Sequence, residues 1–145
     1  MPTVSGIHVW LVLMKVFHSM AARAARDLRG TGLGESDFRV LEVLLHKGPL
    51  PVNTVGPKVF LTAGSISTAV ERLYARGLVS RIDSKTDRRV RVVDLTPKGR
   101  RLINRIFTFH AKNMEELAGV LTETERLQLV EALKKLGKNA ADVKS

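Results

Sequence analysis

Between Gly77 and Thr96 the hydrophobic pattern of this chain changes period. Upstream of Gly77, the apolar residues Ile66, Val70 and Leu73 recur at i, i+4 and i+7, the spacing of one helix face. Then Val79 to Ser84 and Arg89 to Leu95 place β-branched and basic residues on both sides of the turn-forming stretch Ser84-Lys85-Thr86-Asp87, which reads as a hairpin. At Thr96-Pro97 an N-cap residue precedes a proline suited to the first helical position. Helical spacing then returns through Leu102, Ile103, Ile106, Met114 and Leu117. One short hairpin in an otherwise helical chain makes the fold mainly α with a small β wing.

The remaining segments predict further helices. Val4 to Leu28 is apolar on more than one side, with Ile7, Leu11, Met14, Phe17 and Met20 in one stripe and Val9, Trp10, Leu13 and Val16 beside it. A surface helix is apolar on one side only, so this one requires a deep core position or a partner chain. The segment Arg29-Gly30-Thr31-Gly32, with Gly34, breaks it. Ser36 is expected to cap a second helix carrying Phe38, Leu41, Leu44 and Leu45 up to Gly48-Pro49. Pro51 to Val59 fits a short helix that Pro57 is expected to end early, leaving Lys58 exposed. Thr62 caps the next helix, and Gly77 stands where a C′ glycine belongs. Thr122-Glu123-Thr124-Glu125 is a capping-box sequence opening a last helix with Leu129, Val130, Leu133 and Leu136, and Asn139 to Ser145 are expected to fray.

Charge gives this pattern a direction. The 145 residues carry a formal net charge of +10, and the excess is uneven. Residues 62–105 hold eleven Lys/Arg against four Asp/Glu, residues 1–61 hold seven against four, and residues 106–145 are balanced at six each. Such localisation favours a defined basic surface for a polyanion over a general solubility charge. No stretch is apolar enough to span a bilayer, and no basic leader opens the chain, so the expected location is cytoplasmic and no membrane partner is expected. The absence of cysteine excludes disulfides, thiolate metal sites and thiol redox switches.

Helix, short helix, helix and basic hairpin, in that order, form the winged helix-turn-helix plan. Its third helix presents a polar side made by Gly64, Ser65, Ser67, Thr68 and Arg72, opposite the Ile66/Val70/Leu73 stripe and after the Thr62 cap. Small residues at a helix start let backbone N–H groups approach phosphates, while hydroxyls and an arginine can reach base edges in the major groove. The hairpin adds Arg81, Lys85, Arg88 and Arg89, the shape and charge needed to enter a narrow minor groove. Asp87 would repel phosphate unless it holds an arginine in an aimed conformation. The expected partner is double-stranded DNA. A sequence-tolerant architectural or chromatin protein using the same helix and wing is the alternative. No metal, cofactor or catalytic motif stands out, and Asp27, Glu35, Asp37 and Glu42 read as caps and surface charges, so an enzyme is not expected. The four histidines lack local metal-binding spacing.

The runs Leu61-Thr62-Ala63-Gly64-Ser65-Ile66-Ser67, Leu73-Tyr74-Ala75-Arg76-Gly77-Leu78-Val79, Asp87-Arg88-Arg89 and Leu95-Thr96-Pro97-Lys98-Gly99 resemble the MarR family of bacterial and archaeal transcription regulators. The likeness extends to the closing helix from Leu121 to Leu136. It implies a homodimer in which residues 1–30 and 97–145 interlock as dimerisation helices, while residues 31–96 form the winged helix-turn-helix. Two such units would read an inverted repeat, and the resemblance makes a repressor the expected role. On this pattern Ser65, Ser67, Thr68 and Arg72 face the major groove. Arg89 enters the minor groove, and Asp87 orients an arginine, with Arg81 as the candidate. Many members of the family also lose DNA affinity on binding small aromatic or phenolic ligands between the dimerisation helices and the winged domain. Trp10, Met14, Phe17, His18, Phe38 and His110 are the candidate lining residues for such an effector.

Overall fold

The computed structural model describes residues 3–142. Its elements are α1 (Gly6–Arg26), α2 (Glu35–Lys47), β1 (Leu50–Pro51), α3 (Val52–Lys58), α4 (Ala63–Ala75), β2 (Val79–Asp83), β3 (Arg91–Leu95), α5 (Pro97–Ala118) and α6 (Glu123–Asp142). The chain divides into two compact units, residues 1–110 and 111–145.

In the first unit, α2, α3 and α4 converge because each carries apolar residues at helical spacing. Val40, Leu41 and Leu44 of α2 meet Val55 of α3 and Ile66, Ala69, Val70 and Leu73 of α4, all within one core. Leu78, Val79 and Val93 from the sheet and Ile103 and Ile106 from α5 close it. Removing each large side chain from water contributes about 1.5–3 kcal/mol, so this cluster fixes how α4 is held. The sheet order is β1-β3-β2 and all pairings are antiparallel. Val79 pairs with Leu95 and Asp83 with Arg91, making β2 and β3 the expected hairpin. The strands stop before the turn, at Asp83 and Arg91, short of the Ser84 and Arg89 limits suggested by composition.

Other expectations are corrected. The N-cap of α2 is Gly34, with no side-chain hydrogen bond, while Ser36 lies inside the first turn. The pair Leu50–Pro51 forms an edge strand on β3, a position where the missing proline N–H costs no ladder bond. Pro57 does not cut α3 short: it lies in the last turn and the helix continues to the exposed Lys58. Asp27 and Asp37 are buried rather than surface charges. Of the stretch expected to fray, residues 139–142 belong to α6, which extends to Asp142, and residues 143–145 lie outside the described residues.

The end of α3 has an unusual residue at its αL position. Leu61 N donates to Gly56 O at 2.9 Å and Phe60 N to Pro57 O at 3.4 Å, the bond pair of a Schellman cap. Its left-handed C′ position is normally glycine, as it is at Gly77 after α4, where φ is +71°. At α3 it is Phe60, with φ +59°. For a residue with a Cβ this conformation costs about 1–2 kcal/mol.

Helix α1 caps on Ser5, which accepts from His8 N at 3.2 Å, and none of its residues is buried. Exposed apolar side chains along it include Ile7, Val9, Trp10, Leu11, Met14, Val16 and Phe17. Within the second unit, Thr122 and Glu125 form a complete capping box: Glu125 N donates to Thr122 Oγ1 at 3.2 Å, and Thr122 N donates to Glu125 Oε2 at 2.9 Å. Helix α6 likewise has no buried residue and exposes Leu127, Leu129, Val130, Leu133 and Leu136.

Candidate nucleic-acid interface

Helix α4 divides sharply by face. Ile66, Ala69, Val70 and Leu73 are buried, whereas Gly64, Ser65, Ser67, Thr68 and Arg72 are exposed. Its start is fixed locally: Thr62 Oγ1 accepts from Ser65 N at 3.1 Å and donates to Ser65 Oγ at 3.0 Å. Thr68 Oγ1 donates to Gly64 O at 3.0 Å, and Ser67 Oγ has no partner among the described residues. A small, hydroxyl-rich surface at a helix N-terminus is thereby held against a rigid core, with free N–H dipoles facing out.

Arg72 is placed differently from its neighbours. Its Nη2 donates to Asp37 Oδ1 at 2.7 Å and its Nε contacts Oδ2 at 3.5 Å, so the fork closes on a buried carboxylate of α2. The hydrogen bond, and secondarily the charge, of Asp37 raise the guanidinium pKa above its ordinary value. Only Nη1 is left without a partner among the described residues. Arg72 therefore joins α4 to α2 as well as standing at the polar face.

The wing carries two arginines in different circumstances. Arg89 projects from the tip with its side chain 93% exposed, and Asp87 Oδ1 accepts from both its backbone N at 3.0 Å and its Nε at 3.3 Å. Asp87 thus holds Arg89, not Arg81 as expected. The side chain of Arg81 is only 19% exposed and donates to Glu71 Oε2 at 2.6 Å, with its guanidinium 3.8 Å from the centroid of the Tyr74 ring. It fastens the wing to α4. Lys85 and Arg88 are exposed on the turn.

These pieces enclose a crevice of about 350 Å³ between α3, α4 and the wing, lined by Asn53, Ser67, Glu71, Arg81, Arg89 and Arg91 above Ile66 and Val70. The sequence reading missed Glu71 and Tyr74. Their signal was an acidic and an aromatic residue on the exposed side of a helix otherwise suited to phosphate, which makes sense only if a partner from the hairpin engages both.

A second cavity, of about 320 Å³, lies between α1, α2, the α3–α4 turn and His110. It brings together Phe17, Phe38 and His110 of the six residues suggested for an effector; Trp10, Met14 and His18 are exposed and do not line it. His110 Nδ1 lies 2.8 Å from the buried Asp27 carboxylate, and its ring packs edge-on against Phe38 at 5.2 Å. Arg39 is the cation of this cavity, which Glu35 and Glu42 also line; it donates Nη1 to Val59 O at 3.1 Å and pairs through Nη2 with Glu35 Oε2 at 3.4 Å. Among the described residues no three His, Asp or Glu side chains are grouped to hold a metal ion, and no helix is long and apolar enough to cross a membrane.

Comparison with known proteins bears on this arrangement. The family model described as the MarR family matches residues 31–90. The HTH-type transcriptional regulator MhqR of Bacillus subtilis is 37% identical over 138 residues, covering 95% of both chains. The transcriptional regulator BldR of Sulfolobus solfataricus superposes with a TM-score of 0.79 at 27% identity, over 94% of this chain and 99% of that one. Bordetella bronchiseptica BpsR, whose DNA binding is regulated by 6-hydroxynicotinic acid, superposes with a TM-score of 0.81 at 25% identity, over 99% and 100% of the two chains. The core-anchored α4, the arginine-tipped wing and these similarities have one explanation: the chain belongs to the MarR family of winged helix-turn-helix, DNA-binding transcription regulators.

Proposed function

We propose that this chain acts in the cytoplasm as a homodimeric repressor that reads an inverted repeat in double-stranded DNA and releases it on binding a small aromatic ligand. The observation that carries the DNA reading is α4 with its wing. Four apolar side chains lock one face of the helix into the core, the opposite face offers Ser65, Ser67 and Thr68, and Asp87 aims an exposed Arg89. Thr62 and Gly64 let the helix start approach phosphate, while Lys85 and Arg88 add sequence-independent attraction. Arg72 presents one free guanidinium nitrogen to the groove, and Arg81 contributes by bracing the wing.

Residues 1–30 and 97–145 supply the dimer contacts and residues 31–96 the DNA-reading unit. The apolar surface of α1 and α6 supports this division, since exposing so many large side chains is unfavourable unless a second copy covers them. The effector reading rests on the cavity at Phe17, Phe38, Arg39 and His110, which has the size and apolar lining for a single-ring aromatic. With Nδ1 directed to Asp27, His110 Nε2 can accept from a ligand hydroxyl, and Arg39 can exchange its Glu35 partner for an anionic ligand group.

Competition gel shifts against genomic fragments, with the DNA upstream of the chain's own gene first, test the DNA reading. Operator affinity should exceed non-specific affinity by roughly three to seven orders of magnitude. Equal affinity for any duplex at fixed salt would identify a sequence-tolerant architectural protein instead. Thermal-shift titration with 4-hydroxybenzoate and 6-hydroxynicotinic acid tests the effector reading: stabilisation together with operator release supports it, and the absence of both rejects it.

A further inference from the structure

The effector cavity and the recognition helix meet at one residue. Phe60 lines the cavity, stands two positions before the Thr62 cap of α4, and is the only non-glycine residue with positive φ among those described. Its ring is 89% exposed, more than that of any other large apolar side chain described. Neither property helps the fold. A glycine would take the left-handed position without strain, and an exposed ring contributes no burial. A residue that combines backbone strain with an unburied aromatic at a cavity mouth points to a use outside the fold itself.

We propose that Phe60 is the positioning residue through which an occupant of this cavity acts on the recognition helix, a role that rests on reading the cavity as the effector site. Phe17, 72% exposed, lies at the same cavity and provides a second aromatic surface. A planar aromatic ligand bound there buries part of the Phe60 ring, so ring contact and the position of the turn become one event. The turn also responds from its other side. Arg39 donates Nη1 to Val59 O, the residue before Phe60, and pairs through Nη2 with Glu35, so an anionic ligand group that recruits this guanidinium competes with both partners. Val59 is buried and Leu61 N is tied to Gly56 O, so the capped turn moves as one unit and its displacement carries Thr62, the next residue and the cap of α4, with it. The ligand class that uses both contacts is a planar aromatic acid, whose acid group takes the place of Glu35 on Arg39.

The test compares the full-length wild type with Phe60→Gly, Phe60→Ala and Phe60→Tyr, using 4-hydroxybenzoate as the probe. Phe60→Gly is expected to keep or raise the melting temperature and to leave probe-free operator affinity unchanged, because glycine suits the conformation and the ring packs on nothing. Probe binding should weaken by about threefold to tenfold, as loss of one aromatic contact requires. Probe-driven operator release should disappear in Phe60→Gly and Phe60→Ala and return in Phe60→Tyr. Release by Phe60→Gly at the wild-type probe concentration would overturn the role of Phe60 while leaving the effector site standing. A wild type that neither binds the probe nor releases DNA would overturn the effector reading and this inference together. A loss of operator affinity without probe, or a changed oligomeric state in Phe60→Gly, would also overturn it, placing the ring on the DNA or subunit interface.

Discussion

Arg72 of α4 and Asp37 of α2, 35 residues apart, form a forked ion pair with a 2.7 Å Nη2–Oδ1 contact. The pair is asymmetric: the guanidinium is half exposed, the carboxylate buried. Removing the arginine strands a buried acid, whereas removing the acid leaves a solvated cation. Arg72→Ala should therefore lower the melting temperature by several degrees, and Asp37→Asn in that background should recover part of the loss. Thermal denaturation of the two single variants and the double variant measures this. Additive losses would mean that the pair is not coupled.

The wing pair gives a sharper electrostatic test. Arg89→Ala should weaken operator binding and reduce the salt slope by about one unit, as expected for one lost phosphate or minor-groove contact. Asp87→Ala has opposite consequences for charge and for geometry. It makes the protein more positive, which alone would strengthen DNA binding, yet it frees Arg89 from the bonds to its backbone N and Nε. If aiming dominates, operator affinity falls about twofold to tenfold with the salt slope preserved, a loss of the order of one charge-assisted hydrogen bond. Tighter operator binding by Asp87→Ala in salt-dependent gel shifts would show that aiming contributes little.

How much of this was legible in the sequence depended on distance along the chain. The Thr62 cap, the Ile66/Val70/Leu73 stripe, the Gly77 C′ position and the Thr122–Glu125 capping box are all local, and each is present. The hairpin followed from its change of period. Its partner β1 did not, because two residues containing a proline carry no strand pattern and pair with β3 some 40 residues later. The burial of Asp27 and Asp37 was hidden for the same reason: their partners, His110 and Arg72, lie 83 and 35 residues away. Arg81 could not be assigned without knowing that β2 lays it over Tyr74 and beside Glu71. Asp87 and Arg89, two residues apart, show the limit of local reading: spacing alone does not tell which arginine a wing carboxylate serves, and Arg81 is already taken by Glu71. Phe60 escaped notice because the usual signals for a left-handed residue are Gly and Asn.

Gly99 is required by close approach between α5 and the chain leaving α4. A Cβ at this position would lie 1.9 Å from Leu78 O, a contact with backbone that no rotamer relieves. The approach is held by Thr96, whose N donates to Leu78 O at 3.1 Å, whose Oγ1 donates to Gly77 O at 2.6 Å and accepts from Gly99 N at 3.0 Å. Gly99→Ala should destabilise the protein by about 3 kcal/mol or more, the upper range for overpacking. Thr96→Ala, which removes a cap without creating a clash, should cost about 1–2 kcal/mol. Urea denaturation separates them, and equal losses would mean that α5 can shift to accommodate the methyl group.

The exposed apolar surface of α1 is the face a second copy would cover. Leu11 is exposed and lies on a helix with no buried residue, so an aspartate there leaves the core untouched. If a second copy covers this face, Leu11→Asp buries an unpaired carboxylate at the interface and blocks association. Trp10 beside it is the only tryptophan in the chain and reports directly on that environment. Sedimentation should show a monomer, with Trp10 emission shifted to the red. Circular dichroism should retain the helical spectrum of the winged unit. Operator affinity should fall by roughly 10²–10⁴-fold, because a monomer loses the effective concentration that links two half-sites. Affinity for a single half-site should stay nearly constant. Dimeric Leu11→Asp protein with unchanged Trp10 emission would place the subunit interface elsewhere, and an equal loss at full and half sites would show that α1 supports the DNA-reading unit itself rather than its pairing.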